Sequence, residues 1–562
     1  MSDDSSTGVA VPRDFFGHPR GLSTLFFTEL WERFSFYGMR GLLVLFMTTA
    51  TAEANPGLGF DVGTATAIYG LYTFFVYVLA LPGGWVADNL WGQQKAVFVG
   101  GCIIAAGHFS MAIPSTVTFF LGLVLIVIGT GLLKPNVSTI VGELYPEGGA
   151  RRDAGFSIFY MGINFGAILG PTLCSILGEG YNWHLGFSLA GIGMVIGLIS
   201  YKLGEKFLGE AGTLQTNDDP AKIAQRSRRF YMGSGVLALI VIVFGFLMNA
   251  GIFPLTLEQL AGSMGALAVI VTLGFFGYII FFGNHTTLEK KRLGVIFWLF
   301  ILAAIFWSGF EQAATSLNLF ARDLTDRAFG PYTWIGEVGP WVPTLILAIP
   351  LGYICYRIFK RTDLFWGAKA GTGVLSLLIA GFCYYVAFQT VGSWEMPASM
   401  LQNVNATFIV ILAPVFGWLW TWLASRNANP SIPVKFALGL FGLAVGFFVL
   451  SWGAANATAE NPVTPAWLVV TYFLHTCGEL CLSPVGLSSM TKLAPKNRVG
   501  QMMGVWFVAA ALGNLFAGLV AGQLEDLSHA ALFSNVAFII GGAGLVALLV
   551  SQPVRKLMGG VK

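Results

Sequence analysis

Apolar and polar positions along this chain come in long blocks rather than in short alternation. Uninterrupted apolar stretches, each long enough to cross a bilayer, are separated by short polar turns. They predict about sixteen helices, near 22–50, 63–86, 96–113, 115–141, 153–177, 184–206, 229–249, 264–283, 293–322, 339–358, 366–389, 399–424, 431–453, 463–490, 497–523 and 530–552. Helical spacing then exposes an anomaly in the first of them. Glu29, Arg33, Phe36, Tyr37 and Arg40 recur every three or four residues and share one face, with Glu32 and Ser35 beside it. An ionisable group at the bilayer centre costs roughly 2.5–3.5 kcal/mol, so such a face is expected to line a pathway or a site. A static ion-pair network that only fixes packing is the alternative. Arg40 argues against it, because no acid lies within a turn of it.

Composition agrees with the block pattern. Of 562 residues, 55% are hydrophobic and 10% charged, which excludes a soluble domain of this size and implies an all-α polytopic membrane protein. Residues 1–21 are polar, so no cleaved leader is expected. The six cysteines (Cys102, Cys174, Cys355, Cys383, Cys477 and Cys481) lie in apolar stretches, and a disulfide framework is not expected.

Charge placement sets an orientation. Lys95, Arg151, Arg152, the cluster at 202–229, Lys290 to Arg292, Arg357 to Arg361, Arg426, Lys435, Lys492 to Arg498 and Arg555 onward fall on one side. The alternate loops carry only Arg322 and Arg327. By the positive-inside rule both termini are cytoplasmic and the span number is even. The polar stretch 205–228 separates six spans from the rest and reads as a linker between halves.

Four further spans carry polar groups. The second holds Tyr69, Tyr72 and Tyr77 and ends in GGWVADNLWG, whose Asp88 can cap a following helix or pair with a base. The fourth holds Lys134, a lone cation followed by the helix-bending Pro135. The fifth holds Tyr160 and Asn164, then Gly166, Ala167 and Gly170, small enough for close helix contact. The ninth places Glu311 and Gln312 beside Gly309, and the fourteenth places Glu479 one turn before Ser483. The deep charges are therefore Glu29, Glu32, Glu311 and Glu479 against Arg33, Arg40 and Lys134. Cations from one half and acids from the other suit a zwitterion, and a carboxyl that trades an Arg partner for a proton is a coupling device. Static pairing of all seven is the alternative, but paired buried charges add little net stability.

The segment Glu29-Leu-Trp-Glu32-Arg33-Phe34-Ser-Phe36-Tyr37 resembles the ExxERFxYY signature of proton-dependent oligopeptide transporters of the major facilitator superfamily. GGWVADNLWG, GLLKPNVS, FYMGINFG, FWSGFEQ and GELCLSPVGLS with its following TKLAP and MMGVWF resemble that family's other blocks in order, from about His18 to Phe507. The resemblance implies two six-helix bundles plus an extra helix pair between them. A departure from the family pattern at 331–392 adds an inserted pair, giving two additional helix pairs and about 16 spans, or 14 if the insert only partly crosses. The expected layout is a cytoplasmic N-terminus 1–21, an N-terminal bundle 22–206 and a linker 207–292 with two extra helices. A C-terminal bundle 293–552 with an inserted hairpin at 331–392 and a cytoplasmic tail 553–562 complete it.

The resemblance also implies roles. Arg40 and Lys134 would meet a peptide carboxylate, and Glu479, with Asn164 and Asn405, its amine. Tyr37, Tyr77, Tyr160 and Trp506 would line the cavity, with Ser483 near Glu479. Glu29, Glu32, Arg33 and Glu311 would couple protons, Glu311 facing Arg40. Phe36 departs from the family pattern, which has Tyr there, and removes one hydroxyl from the substrate-binding wall. The motif around Gln402 and Asn405 departs too, with Ala406 in place of Pro.

The resulting expectation is a proton-coupled importer of di- and tripeptides in a bacterial inner membrane. It would be a monomer with no cofactor but the proton gradient, no metal and no nucleic-acid partner. The rival readings are a carrier of another small solute, such as nitrate or a modified amino acid, and a non-transporting sensor or a channel. No nucleophile with a base and no metal-spaced cluster suggests an enzyme, and the six histidines are scattered.

Overall fold

The computed structural model describes residues 13–147, 149–215, 219–360, 366–495 and 498–561. Of the expected cytoplasmic segments, residues 1–12, 148, 216–218, 361–365, 496–497 and Lys562 lie outside the described residues, Arg361 and Lys496 among them.

The N-terminal half runs through α1 (Arg20–Thr48), α2 (Val62–Val78), α3 (Ala80–Val86), α4 (Gln93–Met111), α5 (Thr116–Glu143), α6 (Gly149–Gly178) and α7 (Trp183–Gly204). Helices α8 (Pro220–Asn249) and α9 (Leu257–Phe282) follow. The second half begins with α10 (Thr287–Phe310) and α11 (Ser316–Asp323). Next come α12 (Thr333–Val338), α13 (Trp341–Phe359) and α14 (Trp366–Gln389). The chain ends in α15 (Asn403–Ser425), α16 (Ile432–Ala454), α17 (Ala466–Leu493), α18 (Val499–Gly522), α19 (His529–Leu549) and α20 (Ser551–Leu557). Among the described residues, thirteen helical segments are long and apolar enough to cross a membrane. Helices α1, α4 and α13, at 29, 19 and 19 residues, also have spanning length. This is a multi-pass membrane protein.

Two bundles form. In the first, α1 packs on α6 and α7, and α4 on α5 and α7. In the second, α16 packs on α17 and α19, and α10 on α18. The small residues expected to bring helices close do so at α1–α6. A Cβ on Gly166 would stand 2.3 Å from the Leu30 carbonyl oxygen, and one on Gly170 2.3 Å from that of Phe34. That approach fixes the rotation of α1 and so aims its polar face. Helix α8 stands largely apart, with most of its length exposed, whereas α9 packs on α2, α18 and α10 through Ala261, Phe276 and Ile279.

The structure refines several local expectations. The ninth span is broken: a 3-10 turn at Glu311–Ala314 separates α10 from α11. The second ends in a π-helical turn at Ala87–Trp91. Among the described residues Asp88 neither caps a helix nor meets a base; its Oδ1 accepts a hydrogen bond from Gln93 Nε2 at 2.8 Å. Helix α8 starts at Pro220, nine residues before the expected 229, because Asp219 caps it and Pro at the first position favours initiation. The chain leaves the second bundle at Ala328–Phe329 and returns at Trp394–Glu395, and these short strands pair antiparallel. An ion pair of 2.7 Å between Arg327 and Glu395 closes the same neck.

The bundles meet through α2 on α18, α6 on α15 and α1 on α11. The side-chain hydrogen bonds between them lie at mid-helix or at the end opposite the basic loops. Asn318 donates to the Gly41 carbonyl at 2.9 Å, Arg322 to Thr48 at 2.6 Å, and the Gly63 N–H to Glu525 at 2.6 Å. Glu179 accepts from the backbone N–H of Ala398 at 2.8 Å and of Ser399 at 3.0 Å. Toward the basic end, Tyr160 and Met161 on α6 and Pro484 and Leu487 on α17 are exposed.

Candidate functional site

Helix α1 delivers two groups in succession. In the first, Arg33 Nε lies 3.1 Å from Glu29 and is also paired with Glu32. All three are buried, yet one oxygen of each carboxylate and one Arg33 nitrogen have no hydrogen-bond partner. Two acids around one guanidinium, with unused acceptor positions, form a place that can take up a proton without losing its cation. Phe36 closes this group from the other side. Its ring centroid is 5.2 Å from the Arg33 guanidinium carbon and 6.5 Å from the stacked ring of Tyr72. At 5% exposure it contributes packing rather than an open wall.

The second group gathers at Arg40. Its Nε donates to Tyr69 Oη at 2.5 Å, and its Nη2 is paired with Glu311 of the opposite bundle. The Tyr37 ring lies 5.8 Å from the same guanidinium. Glu311 is positioned by the break after α10, which redirects the backbone beside α1.

Two further groups flank this pair. Lys134 Nζ sits 4.0 Å from the centroid of the Tyr77 ring, a cation–π contact between α5 and α2. Asn405 Nδ2 donates to Thr476 at 2.9 Å and to Glu479 at 3.4 Å, tying α15 to α17. Lys134 therefore belongs to one bundle and Glu479 to the other, with the Arg40–Glu311 pair bridging both.

Exposure divides the residues. Tyr160 is 48% exposed, and Tyr37, Tyr77, Lys134, Asn405, Glu479 and Ser483 are half-buried. Asn164 and Trp506 are buried; Asn164 donates to the Tyr160 carbonyl of its own helix at 2.9 Å, and Trp506 packs against Phe436. No hydrogen bond joins Asn164 or Ser483 to Glu479. His475, one turn before Glu479, is buried against Phe447 at 4.7 Å.

Two features escaped the sequence. Tyr69 is legible as one of three tyrosines on the second span, but not as Arg40's neutral partner. Its place on the same face as Tyr77, eight residues on, was the available signal. Glu179 reads as a solvated turn residue but ties the bundles together. Among the described residues, no set of three His, Cys, Asp or Glu side chains is placed to hold a metal.

Comparison with known proteins gives consistent matches. The model of the POT family matches residues 94–384 and 358–536. The chain is 38% identical to the peptide transporter YePEPT of Yersinia enterocolitica over 99% of this chain and 98% of that protein. It is 33% identical to a di-/tripeptide transporter of Lactococcus lactis, covering 98% of each. Among solved structures, a POT family transporter in complex with 5-aminolevulinic acid superposes with a TM-score of 0.79 at 30% identity, covering 97% of this chain and 99% of the other.

Proposed function

The chain belongs to the POT family, and from that membership we propose that it imports di- and tripeptides with protons by alternating access. The arrangement that carries the reading is the Arg40–Glu311 pair, which joins the two bundles between Lys134 on one side and Glu479 on the other. A short peptide is a zwitterion. Its carboxylate needs a cation, supplied by Arg40 and Lys134, and its amine an acid, supplied by Glu479 with Asn405 beside it. These charges read features that every short peptide shares, while Tyr37, Tyr77 and Tyr160 offer aromatic surface to varied side chains.

Coupling follows from competition for Arg40. While Glu311 is ionised it holds the guanidinium and the bundles together. Protonation removes the charge attraction and releases Arg40 to the peptide carboxylate, so proton and substrate load together. Glu29, Glu32 and Arg33, shut away behind Phe36, handle protons rather than substrate. With both termini in the cytoplasm of a bacterial cell, the basic loops face inward. The bundles then meet on the outer side, and Tyr160, Glu479 and Ser483 open toward the cytoplasm. The protein works as a monomer in the inner membrane, with the proton gradient in place of a cofactor.

The deciding experiment is uptake of labelled dialanine into proteoliposomes under an imposed inward proton gradient. Accumulation that a protonophore abolishes supports the proposal, and accumulation indifferent to the gradient removes it. A second reading, import of a modified amino acid, draws on the relative bound to 5-aminolevulinic acid. Competition of that compound against dialanine measures it.

A further inference from the structure

At the end of the second bundle that carries the basic loops, α15 stands away from α16 and α17. Only Asn403, Ala406 and Ile409 of α15 are buried, all in its first two turns. The gap is a cavity of about 680 Å³, floored by the segment after α20. Its two ends differ in chemistry. The deeper wall is apolar and aromatic, built from Ala413, Phe416, Trp420, Leu480 and Pro484. The other end carries Lys435, Lys492 and Arg555, and none of the side chains lining the cavity is acidic.

Lys435 is the informative residue. It is only 8% exposed, and its ammonium lies 4.3 Å from the centroid of the Trp420 ring. A buried cation is costly unless something negative or polarisable faces it, and a ring face supplies only part of that. The 23-residue helix α16 adds positive potential at the same place. Its N-terminus, at Ser431 and Ile432, lines the cavity, and the Ser431 side chain makes no capping bond to it. The buried Lys435, Arg555 and a helix N-terminus below an apolar slot call for an amphiphile with an anionic head and hydrocarbon above it.

We propose that this cavity binds an anionic phospholipid of the basic-loop leaflet. The phosphate sits among Lys435, Lys492, Arg555 and the start of α16, and one acyl chain lies along Phe416, Trp420 and Leu480. The site is separate from the peptide-binding charges. Helix α15 supplies Asn405 to the proposed substrate site from its first turn and Trp420 to this cavity from its fifth, so an occupied cavity holds the far half of that helix.

The test is thermal unfolding of the purified full-length protein in detergent with added phosphatidylglycerol, phosphatidylcholine or inorganic phosphate. Phosphatidylglycerol is expected to raise the midpoint by roughly 2–4 °C over phosphatidylcholine, and phosphate alone to raise it by nothing. The double variant K492Q/R555Q leaves the buried Lys435 in place. It should weaken the phosphatidylglycerol effect about tenfold in lipid concentration while unfolding normally without lipid. Equal shifts from both lipids would overturn the proposal, and so would an undiminished shift in the double variant. A shift reproduced by phosphate would overturn the assignment to a lipid.

Discussion

Arg40 and Glu311, 271 residues apart in sequence, form a buried ion pair that joins the two bundles, and Tyr69 accepts a second hydrogen bond from the same guanidinium. Removing one partner of a buried pair leaves the other uncompensated, at about 3–5 kcal/mol. Arg40→Ala leaves a buried acid and is expected to abolish proton-driven uptake. Glu311→Gln keeps the shape but mimics a permanently protonated acid. It should retain peptide binding and peptide counterflow while losing gradient-driven accumulation. Counterflow assays in proteoliposomes check this; gradient-driven accumulation at the wild-type level in Glu311→Gln would show that the pair is structural.

Glu479 is tied to Asn405 by a 3.4 Å hydrogen bond and stands half-buried on α17. If it receives the peptide amine, Glu479→Gln removes a charge-assisted bond of about 1.5–3 kcal/mol, equivalent to tenfold or more in affinity. N-acetylated peptides lack that amine and should lose much less. Inhibition constants for matched free and acetylated dipeptides compare the two, and equal losses would sink the amine assignment.

What the sequence revealed was decided by contrast. Glu29, Arg33, Arg40, Lys134, Glu311 and Glu479 stand out because each lies in an apolar run where a charge is expensive. Their partners are less legible, since Glu311 reaches Arg40 only after the chain has built two bundles. Tyr69 hides among other aromatics, and Glu179 hides in a polar turn where an acid is cheap. The break at Glu311–Ala314 was also invisible: Glu311 and Gln312 mark a polar point in the span, but neither is a helix breaker, and tertiary packing selects the tighter turn.

His18 is buried at the entrance to α1, its Nδ1 2.8 Å from the Tyr145 hydroxyl. Burial first, and the nearby Arg151 second, hold it below its ordinary value of 6.5. A base depressed by folding binds fewer protons folded than unfolded. The stability it lends is therefore intact above pH 6.5 and lost progressively as pH falls below that value. Hydrogen exchange of residues 13–18, corrected for the intrinsic rate, should accelerate below this point. His18→Gln should flatten the profile, and an unchanged profile would exclude His18 as its source.

Gly170 lets α6 lie against α1, where an added Cβ would stand 2.3 Å from the Phe34 carbonyl oxygen and 3.0 Å from the Gly38 nitrogen. Backbone cannot yield there as a side chain can. Gly170→Val is expected to destabilise by about 1–3 kcal/mol or more and to displace the α1 face that carries Arg33, Tyr37 and Arg40. Gly84→Ala, whose Cβ would meet nothing within 4 Å, is the control and should unfold like the wild type. Thermal unfolding separates them.

Glu179 closes the end of the bundles opposite the basic loops. Its carboxylate accepts the backbone N–H groups of Ala398 and Ser399 and the Ser399 hydroxyl, so one side chain of the first bundle holds the entry to α15 in the second. Nearby, Asn403 is hydrogen-bonded to Thr172, a second link between the same helices. A hydrogen bond to an ionised acceptor contributes about 1.5–3 kcal/mol, so losing the set should shift the population toward a form open at this end by tenfold or more. Glu179→Ala removes every acceptor, whereas Glu179→Gln keeps one oxygen and should fall between it and the wild type. The readout is labelling of a cysteine placed at Thr172, in a background without the native cysteines, by a membrane-impermeant thiol reagent added outside. Labelling at the wild-type rate in Glu179→Ala would show that the remaining contacts, such as Arg322 with Thr48, hold that end shut without it.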